Sequence, residues 1–173
     1  MDLDALLAIA VDLTAALPAE DRYQRLLAAA RRLLPCDAAA LLAVDGDGLR
    51  VLAAHGLSAD VMGRRFALAE HPRLAAICGA PEPVRFPPDC DIPDPFDGLL
   101  EADPSALHRV HACLGCPLRV EGELVGALAA DALSPDAFEG LDPWALRALG
   151  ALAGAAVRTT QLIEALGRGA ARQ

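Results

Sequence analysis

Residues 110–131 read VHACLGCPLRVEGELVGALAAD. Two apolar runs flank a Glu-Gly turn signal, the pattern of a β-hairpin. Cys113 and Cys116 sit three apart in the first run. In a reducing compartment, C-x-x-C suggests zinc or a redox dithiol. Strand geometry opposes that here, because successive residues point to opposite faces. Val110, Ala112, Leu114, Cys116, Leu118 and Val120 share an apolar, core-facing side. His111, Cys113, Gly115, Pro117 and Arg119 share the other. An odd spacing puts the two sulfurs on opposite sides of a continuous strand, where they cannot share a metal or a disulfide; Pro117 is the place for a bulge or an edge.

In the second strand Leu124, Gly126, Leu128 and Ala130 match the core side, and Val125, Ala127, Ala129 and Asp131 the other. Pairing like faces sets the register. A three-residue loop Val120-Glu121-Gly122, with Gly122 left-handed, places Arg119 opposite Glu123 and His111 opposite Asp131, with Cys113 diagonal to Asp131. A shift by two keeps the faces and puts Cys113 directly opposite Asp131. One face of the hairpin then carries a thiol, an imidazole and a carboxylate, with Gly115, Ala127 and Ala129 leaving space between them. A lone buried cysteine is most often a small hydrophobe, and an aspartate at a strand end is most often a cap or turn residue. Their shared face favours a site.

The surrounding chain is long enough for one domain with a core, at 173 residues. It is 54% apolar but only 3% aromatic, so the core is built from small aliphatic side chains. The net charge of −9, from 15 basic and 24 acidic residues, disfavours nucleic-acid binding. No uncharged apolar stretch reaches the roughly 18 residues of a membrane span. The opening MDLDALLAIAVDL carries acids ahead of its apolar residues, the wrong order for a secretory signal. Five cysteines at irregular spacing oppose a secreted disulfide framework and place the thiols, reduced, in the cytoplasm. No phosphate loop, Walker motif or His-Glu-x-x-His is present.

Helical spacing predicts helices over 2–17 and 20–34, separated by Pro18, and over 142–166. Residues 37–45 and 49–55 read as strands joined at Gly46-Asp47-Gly48. Ser58 can cap a short helix, and His71-Pro72-Arg73 can open another that ends near Gly79. The segment 86–104, FPPDCDIPDPFDGLLEADP, holds five prolines and six acids. It reads as a long loop, either a solvated surface or a functional lid. The element order argues for an α/β domain around a mainly antiparallel sheet, with the first and last helices together on one face.

The stretches RRFALAEHPRL, VRFPPDCDIPDPFDGL, VHACLGCPL and LVGALAADAL resemble the N-terminal GAF domains of the NorR family of nitric-oxide-responsive transcription activators. The resemblance covers nearly the whole chain and implies a GAF fold over 1–167, with 168–173 starting a linker. It implies a pocket on the sheet face opposite the terminal helices, holding a mononuclear, non-haem ferrous ion that forms a mononitrosyl with nitric oxide. It further implies repression of an adjacent AAA+ ATPase domain, absent here, that is lifted by nitric oxide and serves sigma-N-dependent transcription. The family's proposed iron ligands or essential neighbours match Arg73, Asp94, Asp97, His111, Cys113 and Asp131. A guanidinium is always protonated and has no free lone pair, so Arg73 is expected to orient a carboxylate rather than ligate. His111 can do either. Cys116 stands where the family has an apolar residue, as its core-facing parity suits.

Other readings compete with this one. A cysteine enzyme of the methionine sulfoxide reductase type needs thiols that can meet. A metal-free module could bind a cyclic nucleotide or another small molecule, although the pocket acids would repel phosphate. A dimerisation module could use the terminal helices, whose apolar stripes exceed what one sheet face needs. A homodimer through those helices is expected in any case.

Overall fold

The computed structural model describes residues 2–101 and 112–173. Helices α1 (Leu3–Asp12) and α2 (Ala19–Leu33) lead into strands β1 (Ala38–Asp45) and β2 (Gly48–His55). A short edge strand β3 (Arg65–Ala67), helix α3 (Pro72–Gly79) and strand β4 (Val84–Phe86) follow. Strands β5 (Ala112–Val120) and β6 (Glu123–Ala132) form the hairpin, and α4 (Pro143–Ala170) closes the fold. The six strands make one antiparallel sheet in the order β3-β2-β1-β6-β5-β4. Among the described residues, no helix is long and apolar enough to cross a membrane.

The sheet separates two apolar layers. On one side α1, α2 and α4 pack over Leu41, Leu114, Cys116, Leu118 and Leu128. On the other, Leu42, Val51, Cys113, Ala127 and Ala129 meet α3, Phe66, Phe86 and Phe96. The two central strands are rich in buried alanine, with Ala38, Ala39, Ala40, Ala127, Ala129 and Ala130 all buried. Two strands escape the sequence pattern, because β3 and β4 have only three residues each, too few to show a period.

The first helix ends at Asp12 rather than running to residue 17. Its free carbonyls are satisfied by a buried arginine from α2: Arg22 donates to Asp12 O at 2.8 Å, to Leu13 O at 3.2 Å, and to Ala15 O. Arg25 pairs with the Asp12 side chain beside it. At the other end of the chain, α4 continues through Ala170, so part of the expected linker is helical.

The hairpin corrects the expected register. Its turn has two residues, Glu121 (φ 52°) and Gly122 (φ 80°), and pairs Val120 with Glu123. Both turn residues being left-handed marks a primed hairpin turn. Glutamate is a poor signal for that geometry, which favours Asn, Asp or Gly. Such a turn alone would set the two faces out of phase. An irregularity follows at once: Arg119 pairs with Leu124, but Leu118 pairs with Gly126, leaving Val125 as an extra residue. The faces return to phase, and Cys113 lies directly opposite Asp131, the pairing of the register shifted by two, rather than diagonal to it. Arg119 does not face Glu123; it reaches the end of α3 and donates to Cys78 O at 2.7 Å. The bulge also exchanges two assignments. Val125 joins the helix-side core, while Leu124 packs on the pocket side.

Gly115 sets how closely α3 approaches the sheet. A Cβ there would lie 2.2 Å from Ile77 Cδ1 and 2.2 Å from its Cγ1. Ile77 is one helical turn from Arg73, so this contact fixes the depth of Arg73 as well. Gly115→Ala is expected to lose about 1–3 kcal/mol through overpacking. Ile77→Ala in that background should recover part of the loss, read from urea unfolding midpoints.

Candidate metal centre

Three polar side chains from three elements converge under α3. Asp94 comes from the proline-rich loop, Cys113 from β5 and Asp131 from β6. One donor atom of each lies within 4.8 Å of the others. All three are buried, with relative exposures of 7%, 3% and 1% respectively. The cross-strand pairing of Cys113 with Asp131 brings two of them together, and the loop supplies the third.

The loop is held in rather than solvated. Phe96 is buried and packs edge-to-face on Phe66, with ring centroids 5.6 Å apart. Leu100 bridges to Leu57 beyond the end of β2, and Ser58 N–H donates to Leu99 O at 2.8 Å. Within the loop, Asp94 Oδ1 accepts from Phe96 N–H at 2.8 Å, a turn that aspartate favours. These contacts aim the Asp94 carboxylate inward.

Arg73 completes the wall. It sits in the first turn of α3, opened by Pro72, and is buried at 6% exposure. Its Nη1 donates to Asp94 Oδ2 at 3.2 Å, and its Nη2 donates to the Ile92 carbonyl. The guanidinium stacks over the Phe86 ring, 4.9 Å from its centroid. Phe86 in turn pairs with Cys113 across β4 and β5. Phe86 and the Ile92 carbonyl belong to the site but carried no sequence signal, since β4 is too short to read and a backbone oxygen has no letter.

The electrostatics are unbalanced. Burial, then the charge of neighbouring Asp94, pushes the Asp131 carboxyl well above the ordinary carboxylate range. Burial, then Asp131 and Asp94, pushes the Cys113 thiol well above its ordinary value. Arg73 gives one positive charge against three potential negative ones. Both Asp131 oxygens are buried and receive no hydrogen bond among the described residues. A buried carboxylate without donors is expensive and calls for either a proton or a cation. A thiolate and two carboxylates form a mixed sulfur–oxygen donor set, which fits a divalent transition metal such as ferrous iron. Cys116, by contrast, lies in the helix-side core and is pushed up to about 12 by burial alone. The five cysteines are all free.

Asp97 is half-buried outside the trio, and it lines an adjoining cavity of about 390 Å³ with Arg73, Cys90, Asp91 and Asp94. His111 lies outside the described residues.

Comparison with known proteins agrees with this architecture. The GAF domain model matches residues 18–158. The anaerobic nitric oxide reductase transcription regulator NorR of Serratia proteamaculans is 46% identical over 97% of this chain and 33% of its own length. That of Aeromonas salmonicida is 47% identical over 95% of this chain and 32% of its own length. The regulatory protein LuxO of Vibrio cholerae is 46% identical over 91% of this chain and 30% of its own length. The chain thus spans about a third of the length of these relatives. Among solved structures, the GAF domain of a Coxiella burnetii phosphoenolpyruvate-protein phosphotransferase superposes with a TM-score of 0.71 at 22% identity, covering 96% of each chain. The free methionine-R-sulfoxide reductase of Neisseria meningitidis shares the fold, with a TM-score of 0.68 at 15% identity over 93% of this chain and 90% of its own. By family match and by fold, the chain belongs to the GAF domain family.

Proposed function

We propose that the chain is a regulatory sensor domain that holds one mononuclear, non-haem ferrous ion and detects nitric oxide there. Its signal lifts the repression of an AAA+ ATPase domain elsewhere in a longer cytoplasmic protein. The observation that carries the metal is Asp131, whose two oxygens are buried without donors beside Cys113 and Asp94. Nitric oxide is suggested by regulators similar to this chain that are named for nitric oxide reductase. Held by Cys113, Asp131 and Asp94, a ferrous ion would supply an open coordination position at which nitric oxide could bind.

The chain's own residues do the rest. Cys113 gives a soft anionic donor, and Asp131 and Asp94 give hard ones. Asp97 and His111 are further donors in this proposal. Arg73 is a positioning residue: it shares Asp94 with the metal, so any change in the demand on Asp94 reaches α3 and the Ile92 segment. No catalytic role is assigned. The thiols of Cys113 and Cys116 pack in different cores, which weighs against a dithiol enzyme. The net charge of −9 weighs against nucleic-acid contact by this chain.

Anaerobic ferrous loading followed by nitric oxide titration, read by electron paramagnetic resonance, tests the proposal. The expected outcome is about one ferrous ion per chain and the half-integer-spin signal of non-haem iron with nitric oxide bound. Cys113→Ser should abolish this signal by replacing a thiolate with a hydroxyl of high pKa. Cys116→Val should retain it and change stability by less than about 1.5 kcal/mol. Equal loss in both variants, or stoichiometric zinc that nitric oxide leaves unperturbed, would sink the proposal.

The Asp131 shift sets a pH dependence. Its folded value lies above the unfolded one, so the folded chain prefers the protonated form. The stability it contributes is complete below the ordinary value near 3.8 and is lost as pH rises through the raised value. The metal-free chain should therefore weaken as pH rises above the ordinary carboxylate value, and Asp131→Asn should flatten that decline. Metal affinity should run the other way, rising with pH as protons leave the ligands. Urea midpoints and metal titrations across the range check both signs.

A homodimer is part of the same proposal. Leu3 (58% exposed), Leu7 (61%) and Val11 (61%) form a stripe along α1, and Leu162 (56%), Ile163 (47%) and Leu166 (75%) extend along α4. A second copy packing these faces together would cover apolar surface that one sheet leaves open. Sedimentation at micromolar concentration should show the dimer, and Leu7→Glu with Leu166→Glu should return the monomer.

A further inference from the structure

Two hollows reach the metal centre from different sides. The first is the acidic cavity of about 390 Å³, lined by Asp91, Asp94 and Asp97 with Arg73. The second is a cleft of about 170 Å³ beside the start of β5, lined by Phe86, Pro87, Pro88, Ala112, Cys113 and Phe138. Asp94 opens onto the first and Cys113 onto the second, yet their donor atoms lie within 4.8 Å of each other. Pro88 lines both and forms the wall between them. Each hollow thus touches one member of the trio, Asp94 in the first and Cys113 in the second.

Their chemistries differ. The acidic cavity presents carboxylates, which attract a hydrated divalent cation and would exchange for its water. The cleft is walled by proline rings, two phenyl rings and a methyl group, with Arg85 and Glu139 exposed at its rim. A recess with such apolar walls favours small uncharged molecules and atoms such as xenon over charged ones. An anion such as nitrite could pair with Arg85 at the rim but would lose hydration beyond it, among the proline and phenyl rings.

We propose that the centre has two entrances: the cation enters through the acidic cavity, and an uncharged diatomic enters through the proline-walled cleft to the Cys113 side. The second entrance would select for a neutral gas over its charged oxidation products. This rests on the reading of the centre as a nitric oxide sensor.

The test uses xenon on the metal-free chain and nitric oxide on the iron-loaded chain. Xenon should shift the amide resonances of Ala112, Cys113 and Phe138. Ala112→Leu, which fills the cleft from within, should lose those shifts, and Glu139→Trp, which covers its exposed rim, should reduce them. In stopped-flow mixing, both variants should slow nitric oxide association while leaving iron affinity unchanged. Asp97→Asn, on the acidic side, should slow iron loading and leave the xenon shifts intact. The inference is overturned if xenon shifts nothing around Cys113, or if both cleft variants fold and bind nitric oxide as fast as the parent. Iron that never loads would overturn the sensor reading instead, while the xenon result still decides whether the cleft takes apolar gas.

Discussion

The pairing of Cys113 with Asp131 across two adjacent strands is the constraint on which the site depends. It needs the chain to count correctly over a turn and a bulge. The left-handed Glu121-Gly122 turn puts the faces out of phase by one residue, and the extra Val125 restores them. Without the bulge, Asp131 would point into the alanine and leucine core under the helices, and the thiol would face no acid. The site thus depends on backbone geometry six to nine residues away along β5 and β6.

The second constraint is the buried pair of Arg73 and Asp94. The loop that carries Asp94 is full of prolines and has little regular hydrogen bonding of its own. Phe96 anchors it by burial, and Arg73 anchors it by charge. Removing one side of such a pair leaves a buried charge alone, at a cost of about 3–5 kcal/mol. The same guanidinium lies on Phe86, so α3, β4 and the loop meet at one side chain. That makes Arg73 a junction between the pocket and the surface elements around it.

Much of this was legible in the sequence, for a physical reason. The strand period of two separates Cys113 from Cys116 whatever the register, and the structure places them in opposite cores. Face matching left two registers open, and the choice between them was not legible, because glutamate does not announce a left-handed turn and Val125 looks like any other strand residue. The six acids of the loop look alike in sequence. The family resemblance picks out Asp94 and Asp97, and in the structure the turn to Phe96 and the reach of Arg73 single out Asp94. The early end of α1 was hidden for a similar reason. Its stop is a buried arginine from the next helix, and arginine is read as surface until its partners are seen.

The alanine-rich centre of the sheet has a mechanical consequence. A methyl side chain has no rotamers to lose on folding and none to rearrange afterwards. Strands β1 and β6 therefore act as a thin, stiff plate between the pocket and the helices, rather than as a layer of interlocking side chains that could absorb a push. Displacement on the pocket side is then carried around the plate, through α3, β4 and the strand ends, or moves the plate as a body. Compliance belongs to the periphery, where Phe86, Phe96 and Phe138 supply half of the aromatic side chains in a chain with few of them.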